Sequence, residues 1–318
     1  MADSQCVAIV IPVYNRAHLI GRCLDSVYAQ TYRPLQVIVV DNNSTDLTVE
    51  AVNDWVSAHR LQNDSSFQLM LMQEKKRGAA AARNSGLRAV TAEWTLFFDS
   101  DDVMLPDLVV TAMSASSNAD LVNWKARRIR MSGESEKHHF HKKNLMSRHV
   151  YNSILATQTY MAKTALFRKV RGWEEQALVW NDWELGIRIL AASPRINWVD
   201  RQLVDVHEQK ESITGESFSE KQGMWEKTIS IVERKVSRDP LFKEIGLKEK
   251  RKLLGQLDYR RAVLAAHYSQ EGRKDLASRL MSKTLRKTSL SDWRKRILKL
   301  VFRFTSKGGR GAYYLWGL

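Results

Sequence analysis

The 318-residue chain has two cysteines and no apolar run of membrane-spanning length. Cys6 and Cys23 fall on an expected strand and an expected helix, which excludes a disulfide scaffold and points to a reducing compartment. No stretch reaches the roughly 18 uncharged apolar residues of a spanning helix. The start, Met1-Ala2-Asp3-Ser4-Gln5, has no basic region, and the apolar run from Val7 to Val13 is broken by Pro12. It reads as a strand and not as a signal peptide, so the expected location is cytoplasmic. Two nucleotide signatures are also missing. The first strand-to-helix turn, PVYNRAHLIG, has no GxGxxG for a dinucleotide, and GxxxxGK[ST] occurs nowhere. What is present is ordinary globular composition, 44% hydrophobic and 27% charged, which excludes a disordered chain or a collagen-like fibre.

Acidic residues are scarce only at one end. Residues 1–219 hold 25 basic and 25 acidic residues, whereas residues 220–318 hold 25 and 10, so the whole net charge of +15 lies in the last 99 residues. A neutral domain, 1–219, followed by a basic extension, 220–318, is therefore expected. The charge of the extension raises nucleic acid or an anionic membrane surface as its partner, and of the two the membrane surface is expected and nucleic acid is not.

Within 6–124, strand and helix periods alternate. Cys6–Pro12, Leu35–Asp41, Phe67–Met72 and Trp94–Asp99 read as strands, the first two as continuous apolar runs buried on both faces. Leu19–Ala29, a stretch capped by Ser44 and Thr45 and running to Ala58, Gly78–Val90 and Pro106–Ser114 read as helices. This order predicts an α/β fold with a mostly parallel sheet and helices on both faces. Ligands of such sheets bind beyond the carboxyl ends of the strands, where Pro12, Tyr14, Asn15, Asp41 and Asp99 fall. From Leu121 to Tyr151 an antiparallel ribbon is expected. A helix at Asp182–Ala192 and short strands at Ile196–Val199 and Leu203–Val206 follow. Beyond Ser219 the chain reads as helical, broken near Asp239-Pro240, Gly246 and Glu271-Gly272.

The strongest chemical feature is Asp99-Ser100-Asp101-Asp102, directly after WTLFF. Carboxylates crowded at a strand end repel one another unless a cation neutralises them. Hard divalent ions take oxygen ligands and keep part of their shell for phosphate. The economical reading is a Mg²⁺ or Mn²⁺ site holding a diphosphate, and the alternative is a solvated acidic turn.

The stretches VAIVIPVYNRAHLIGRCLDSVYAQTY, VIVVDNNSTDLT, RGAAAARNSGL, LFFDSDDVMLPD and VWNDWELGIRIL together resemble the family 2 glycosyltransferases. These are inverting nucleotide-sugar transferases of the GT-A fold, here of the bacterial polysaccharide type. The likeness runs over about residues 6–215, roughly two thirds of the chain, and leaves out 220–318. It implies that Pro12, Tyr14 and Asn15 line the nucleoside pocket and that Asp41 accepts a hydrogen bond from uracil. It further implies that Arg83 and Asn84 lie near base and ribose, Asp99 near the ribose, and Asp101 on the metal, with Asp102 toward metal or sugar. Asp182 matches the base that takes the acceptor's proton, in a motif where Asn181 replaces the usual Glu. Glu184, about 200° around the helix, does not replace it. His207 matches a histidine that adds a metal or diphosphate contact.

Bland readings stand beside these. Asp41 could cap a helix, Arg83 could be a solvated helix residue, and Pro12 could only end a strand. Asp182 could interact with the helix macrodipole, and His207 could be structural. Trp180 and Trp183 either stack on acceptor sugar or belong to the core. Alternation in a polar ribbon explains His138, His139 and His141 without a metal.

The resemblance implies transfer of a sugar from a UDP-linked donor to a saccharide or lipid-linked acceptor in cell-surface polysaccharide synthesis. In Ser289–Phe304, Leu290, Trp293, Ile297, Leu300, Val301 and Phe304 share one helical face, with Lys295, Arg296, Lys299 and Arg303 on the other. Such a helix lies in a membrane interface, peripheral on the inner face of the cell membrane, or packs on the catalytic domain or on a second copy in a homo-oligomer. The competing functions are a nucleic-acid-binding protein with a metal-binding acidic turn, and a catalytically inactive sugar-nucleotide binder, the latter raised by Asn181.

Overall fold

The computed structural model describes residues 5–61, 64–130, 132–133, 135–137, 143–208, 217–220 and 223–316. His138, His139 and His141 lie outside them. The chain divides into two compact units that interleave along the sequence. The first takes in Met1–Phe140, Leu155–Glu175 and Ala192–Gln209, and the second His141–Ile154, Gln176–Ala191 and Lys210–Leu318.

In chain order the first elements are β1 (Val7–Val13), α1 (Ile20–Tyr28), β2 (Leu35–Asp41), α2 (Thr48–Ala58), β3 (Phe67–Gln73), α3 (Ala79–Ala89) and β4 (Trp94–Phe97). Next come β5 (Val103–Met104), α4 (Leu108–Ser114), β6 (Leu121–Ile129), β7 (Ser135–Lys137), α5 (Leu145–Asn152), β8 (Tyr160–Lys163), α6 (Thr164–Lys169) and α7 (Asn181–Ala191). The last are β9 (Ile196–His207), α8 (Met224–Arg238), α9 (Leu247–Gln270), α10 (Lys274–Lys287), α11 (Asp292–Ser306) and α12 (Tyr313–Trp316). The second unit holds α5 and α7 to α12, and the first unit holds the rest.

The first unit is built on one mixed sheet in the order β3-β2-β1-β4-β8-β6-β9-β5, with β7 paired to β6. β1, β2, β3 and β4 run parallel, as their apolar sequences require. Val7, Ile9, Ile11 and Val13 of β1 share one core with Leu24 and Val27 of α1, Trp55 of α2 and Leu108 of α4. The opposite face carries α3 and α6. A Cβ on Gly86 of α3 would lie 2.4 Å from Val10 Cγ1, so this helix approaches the sheet closely only because residue 86 has no side chain. Phe97 meets Phe167 of α6 edge to face at 5.0 Å. Helices therefore cover both faces, and the loops after β1, β2 and β4 open at one sheet end.

Three local expectations are corrected. Ser44 and Thr45 do not cap α2, which begins at Thr48 without a side-chain cap. Among the described residues of the expected ribbon, β6 and β7 pair antiparallel, and Leu145–Asn152 turns helical. The two short strands after α7 are one strand, β9. Its pairing with β6 jumps from Trp124↔Val199 to Lys125↔Gln202, and the exposed Asp200 and Arg201 in that bulge read as a turn in the sequence.

In the second unit α9 is the central helix, with Leu257, Ala262, Leu264 and Ala265 fully buried and α5, α8, α10 and α11 packed around it. The expected breaks fall between α8, α9 and α10. Among the described residues no helix is long and apolar enough to cross a membrane.

Candidate active site

Strand register sets the first part of the site. Val13 pairs with Asp41, so the end of β1 and the end of β2 lie side by side and deliver Tyr14 and Asp41 to adjacent loops. Ser44, Thr45 and Thr48 stitch these loops together. Asn15 N–H donates to Ser44 Oγ at 3.0 Å, Thr45 N–H to Asn15 Oδ1 at 2.8 Å, and Arg16 N–H to Thr48 Oγ1 at 2.8 Å. Asn15 holds φ of 50°, a left-handed conformation that its short polar side chain tolerates. Asp41 is buried, and both its carboxylate oxygens accept from Ser44 N–H at 3.3 Å. Pro12 is buried within β1, and Tyr14 is 42% exposed.

Arg83 lies on α3 but is not a solvated helix residue. It is buried, donates from Nη2 to Asp99 Oδ1 at 2.6 Å, and stacks its guanidinium 4.4 Å from the Trp173 ring centre. Among the described residues its Nε and Nη1 have no hydrogen-bond partner, an arrangement that costs free energy until an acceptor arrives. Asn84 is committed elsewhere. Its amide donates to Trp173 O and Glu175 Oε1, both at 2.9 Å, and its Oδ1 accepts from Trp173 N–H at 2.7 Å. Asn84 thereby holds the 173–175 segment, and with it the ring on which Arg83 stacks.

The acidic turn after β4 is braced by a residue with no motif around it. Gln158 Nε2 donates to Asp99 Oδ2 at 2.5 Å and to Asp102 Oδ2 at 2.7 Å. Asp102 is 1% exposed, and its other oxygen accepts from the His207 backbone N–H at 2.9 Å. Burial, then the charges of Asp99 and Asp101, pushes the Asp102 carboxyl well above the usual carboxylate range. Burial and the Asp99 charge raise Asp101 as well. Beneath them the Cys23 thiol is raised by burial and then by all three carboxylates.

These carboxylates fit a divalent cation of a particular kind. No other described residue donates a hydrogen bond to the Asp101 carboxylate, although its carbonyl accepts from Arg22 Nη2 at 2.6 Å. His207 is held below its ordinary pKa by burial and then by Arg22, which favours the neutral imidazole that a metal requires. Among the described residues no group of three or more His, Cys, Asp or Glu side chains is placed to hold a metal ion. A hard divalent ion at such a turn would need phosphate and water to complete its shell.

Asp182 lies in the second unit, in the first turn of α7, where its Oδ1 accepts from Trp183 N–H at 2.7 Å. The residue before that turn, Trp180, has φ of 52°, a strained value for a bulky side chain. The Arg260 guanidinium lies 4.2 Å from the Trp180 ring centre, and burial lowers its pKa to about 10 against the pull of Tyr259 and Asp182. Trp183 is fully buried, with Nε1 donating to Val150 O at 3.2 Å. It is a core residue with no face left for an acceptor. Glu184 is likewise buried, paired with Arg188 at 2.5 Å and Lys235 at 2.9 Å, so it belongs to a structural ion network.

The family model described as Glycosyl transferase family 2 matches residues 8–170. The UDP-Glc:α-D-GlcNAc-diphosphoundecaprenol β-1,3-glucosyltransferase WfgD of Escherichia coli is 35% identical over 103 residues, 32% of this chain and 38% of that relative. Matches to the curated relatives named GlyA, GlyG and WfgD span 14% to 38% of their lengths. S. aureus TarS 1-349 in complex with UDP-GlcNAc superposes with a TM-score of 0.63 at 18% identity, over 96% of this chain and 93% of that one. The mannosyltransferase PcManGT from Pyrobaculum calidifontis, in complex with GDP-Man and Mn²⁺, gives 0.57 at 21% identity, over 98% and 85%. At such identities these likenesses show a shared fold.

Proposed function

The chain belongs to glycosyl transferase family 2, and on that premise we propose that it moves a sugar from a UDP-linked donor, with inversion, onto a saccharide or lipid-linked acceptor. The proposed catalytic and nucleotide-binding residues all fall within 1–219, although α5 and α7 of that stretch belong to the second compact unit, and residues 220–318 are a helical extension. It works in cell-surface polysaccharide synthesis at the inner face of the membrane. The observation that carries this reading is the acidic turn after β4. There no other described residue donates a hydrogen bond to the Asp101 carboxylate, while Gln158 and the His207 backbone brace its neighbours.

Tyr14, Asn15 and Asp41 receive the nucleoside, with Pro12 ending the strand beneath them. Asp41 keeps lone pairs for a base N–H beyond the two oxygens that Ser44 engages. Arg83 offers its two unpartnered donors to ribose or phosphate oxygens and orients Asp99 through their 2.6 Å contact. Asp101, with His207, would hold Mn²⁺ or Mg²⁺, which supplies neutralisation of the charge on the departing diphosphate. Asp102 keeps the turn in shape. Asp182 takes the proton of the acceptor hydroxyl as that oxygen attacks the anomeric carbon, and Trp180 contributes to the acceptor side. Asn181 removes the carboxylate that the family's usual Glu would place before Asp182 in the sequence. The UDP-GlcNAc named in the TarS neighbour, and the UDP-Glc and diphosphoundecaprenol substrate named for the E. coli relative, support the donor and acceptor classes, and the GDP-Man of PcManGT supports only a nucleotide-sugar donor.

A panel of nucleotide sugars, scored by thermal shift and donor hydrolysis with and without Mn²⁺, tests the reading. A response confined to UDP-sugars and dependent on the metal is expected. Indifference to every nucleotide sugar, or an equal response in EDTA, would overturn it.

A further inference from the structure

Helix α11 is amphipathic in sequence, but only part of its apolar face is used by the fold. Leu298 and Val301 are fully buried, and Leu290 and Ile297 pack against the same core of the second unit. Trp293, Leu300 and Phe304 remain 68%, 54% and 43% exposed. At spacings of seven and eleven residues these three lie within roughly 40° of one another on the helix. They form a stripe beside the buried face and not within it. Phe304 is backed by the chain at Gly309, where a Cβ would come 2.5 Å from its ring.

The other border of the stripe is basic. Arg296, Lys299 and Arg303 are exposed and make no ion pair among the described residues. The helix's one acidic residue, Asp292, pairs with Lys295 at 3.4 Å. An exposed Trp, Leu and Phe in line call for an apolar partner. The adjoining cations call for an anionic one. A second copy of this helix meets the first need but sets like charges against each other. A nucleic acid meets the second need but leaves Leu300 in water. A bilayer with anionic headgroups meets both, because its charged surface lies directly above its acyl region.

We propose that the α11 stripe of Trp293, Leu300 and Phe304, flanked by Arg296, Lys299 and Arg303, docks on an anionic lipid bilayer, with the three apolar side chains entering the headgroup–acyl boundary. This deepens the reading above, on which the lipid-linked acceptor rests. The surface itself belongs to the second unit alone.

Flotation of the full chain with vesicles tests it, with no donor or acceptor present. Binding to phosphatidylglycerol–phosphatidylcholine vesicles is expected, with little binding to phosphatidylcholine alone and a marked loss at high salt. Substituting Arg296, Lys299 and Arg303 together by Gln should weaken binding about a hundredfold, at roughly fivefold per cation. Substituting Trp293, Leu300 and Phe304 together by Ser should weaken it comparably. Both variants should keep the wild-type thermal transition, because all six side chains are exposed. Vesicle binding undiminished in either variant overturns the proposal. So does retention on DNA without vesicle binding, or a wild-type dimer that the Ser variant dissolves. Vesicle binding by a chain that hydrolyses no nucleotide sugar would sustain this proposal and sink the transferase reading, and transfer without vesicle binding would do the reverse.

Discussion

Replacing Gln158 by Glu turns the brace of the acidic turn into a fourth carboxylate of nearly the same shape. In the wild type one amide nitrogen serves two carboxyl oxygens, at 2.5 Å on Asp99 and 2.7 Å on Asp102. A hydrogen bond to a charged group contributes about 1.5–3 kcal/mol. The Asp99 side chain is 28% exposed, so water takes over most of its lost bond. Asp102 is 1% exposed and keeps only the His207 N–H, so its loss is felt nearly in full. Gln158→Leu should therefore cost about 2 kcal/mol. Gln158→Glu adds repulsion, or the uptake of a proton to relieve it, and should cost about 3–4 kcal/mol. The same change loosens the turn that carries Asp101, so UDP affinity in Mn²⁺ should fall about tenfold, equivalent to roughly 1.4 kcal/mol. Urea denaturation gives the first quantity and calorimetric titration of UDP with Mn²⁺ the second. A Glu variant with the wild-type denaturation midpoint and UDP affinity would refute the idea that Gln158 holds the site.

Other consequences are open to direct measurement. Asp101 has a raised carboxyl pKa, so the folded state favours its protonated form, and that contribution is lost as pH rises through the folded pKa. Asp101→Asn should accordingly be more stable than wild type in EDTA at pH 7, converge with it in acid, and lose the thermal stabilisation by Mn²⁺ and UDP seen in wild type. The fully buried His149, lowered to about 4 by burial, acts in the opposite sense. Its contribution is complete above about pH 6.5 and is lost as pH falls towards 4, a change of about 3 kcal/mol that His149→Gln should remove from the acid limb of the stability curve. Gly86→Val would drive a side chain into Val10 and Val40, and should cost about 1–3 kcal/mol in a denaturation experiment while lowering UDP affinity through α3 and Arg83.

The first unit was the legible part of the molecule. Strands covered on both faces must be apolar throughout, so CVAIVIP and LQVIVVD announce themselves, and the acidic turn stands out because three carboxylates end such a strand. β9 was legible only in halves, because Asp200 and Arg201 bulge out of the ladder with the exposure of a turn. Ser44 and Thr45 have the chemistry of caps, but a better use exists in tying Asn15 to the second loop. Gln158 left no signal, since a glutamine 56 and 59 residues from its partners acquires meaning only when β8 and the turn before it come beside β4. The burial of Trp183 and the exposure of Trp293 were equally hidden. Periodicity separates an apolar face from a polar one but does not divide that face between core and solvent.

The most direct test compares wild type with Asp182→Asn for UDP release from a UDP-sugar in the presence of acceptor and Mn²⁺, at matched UDP occupancy. The account predicts unchanged UDP affinity and transfer abolished in the variant. Near-normal turnover by Asp182→Asn would contradict it.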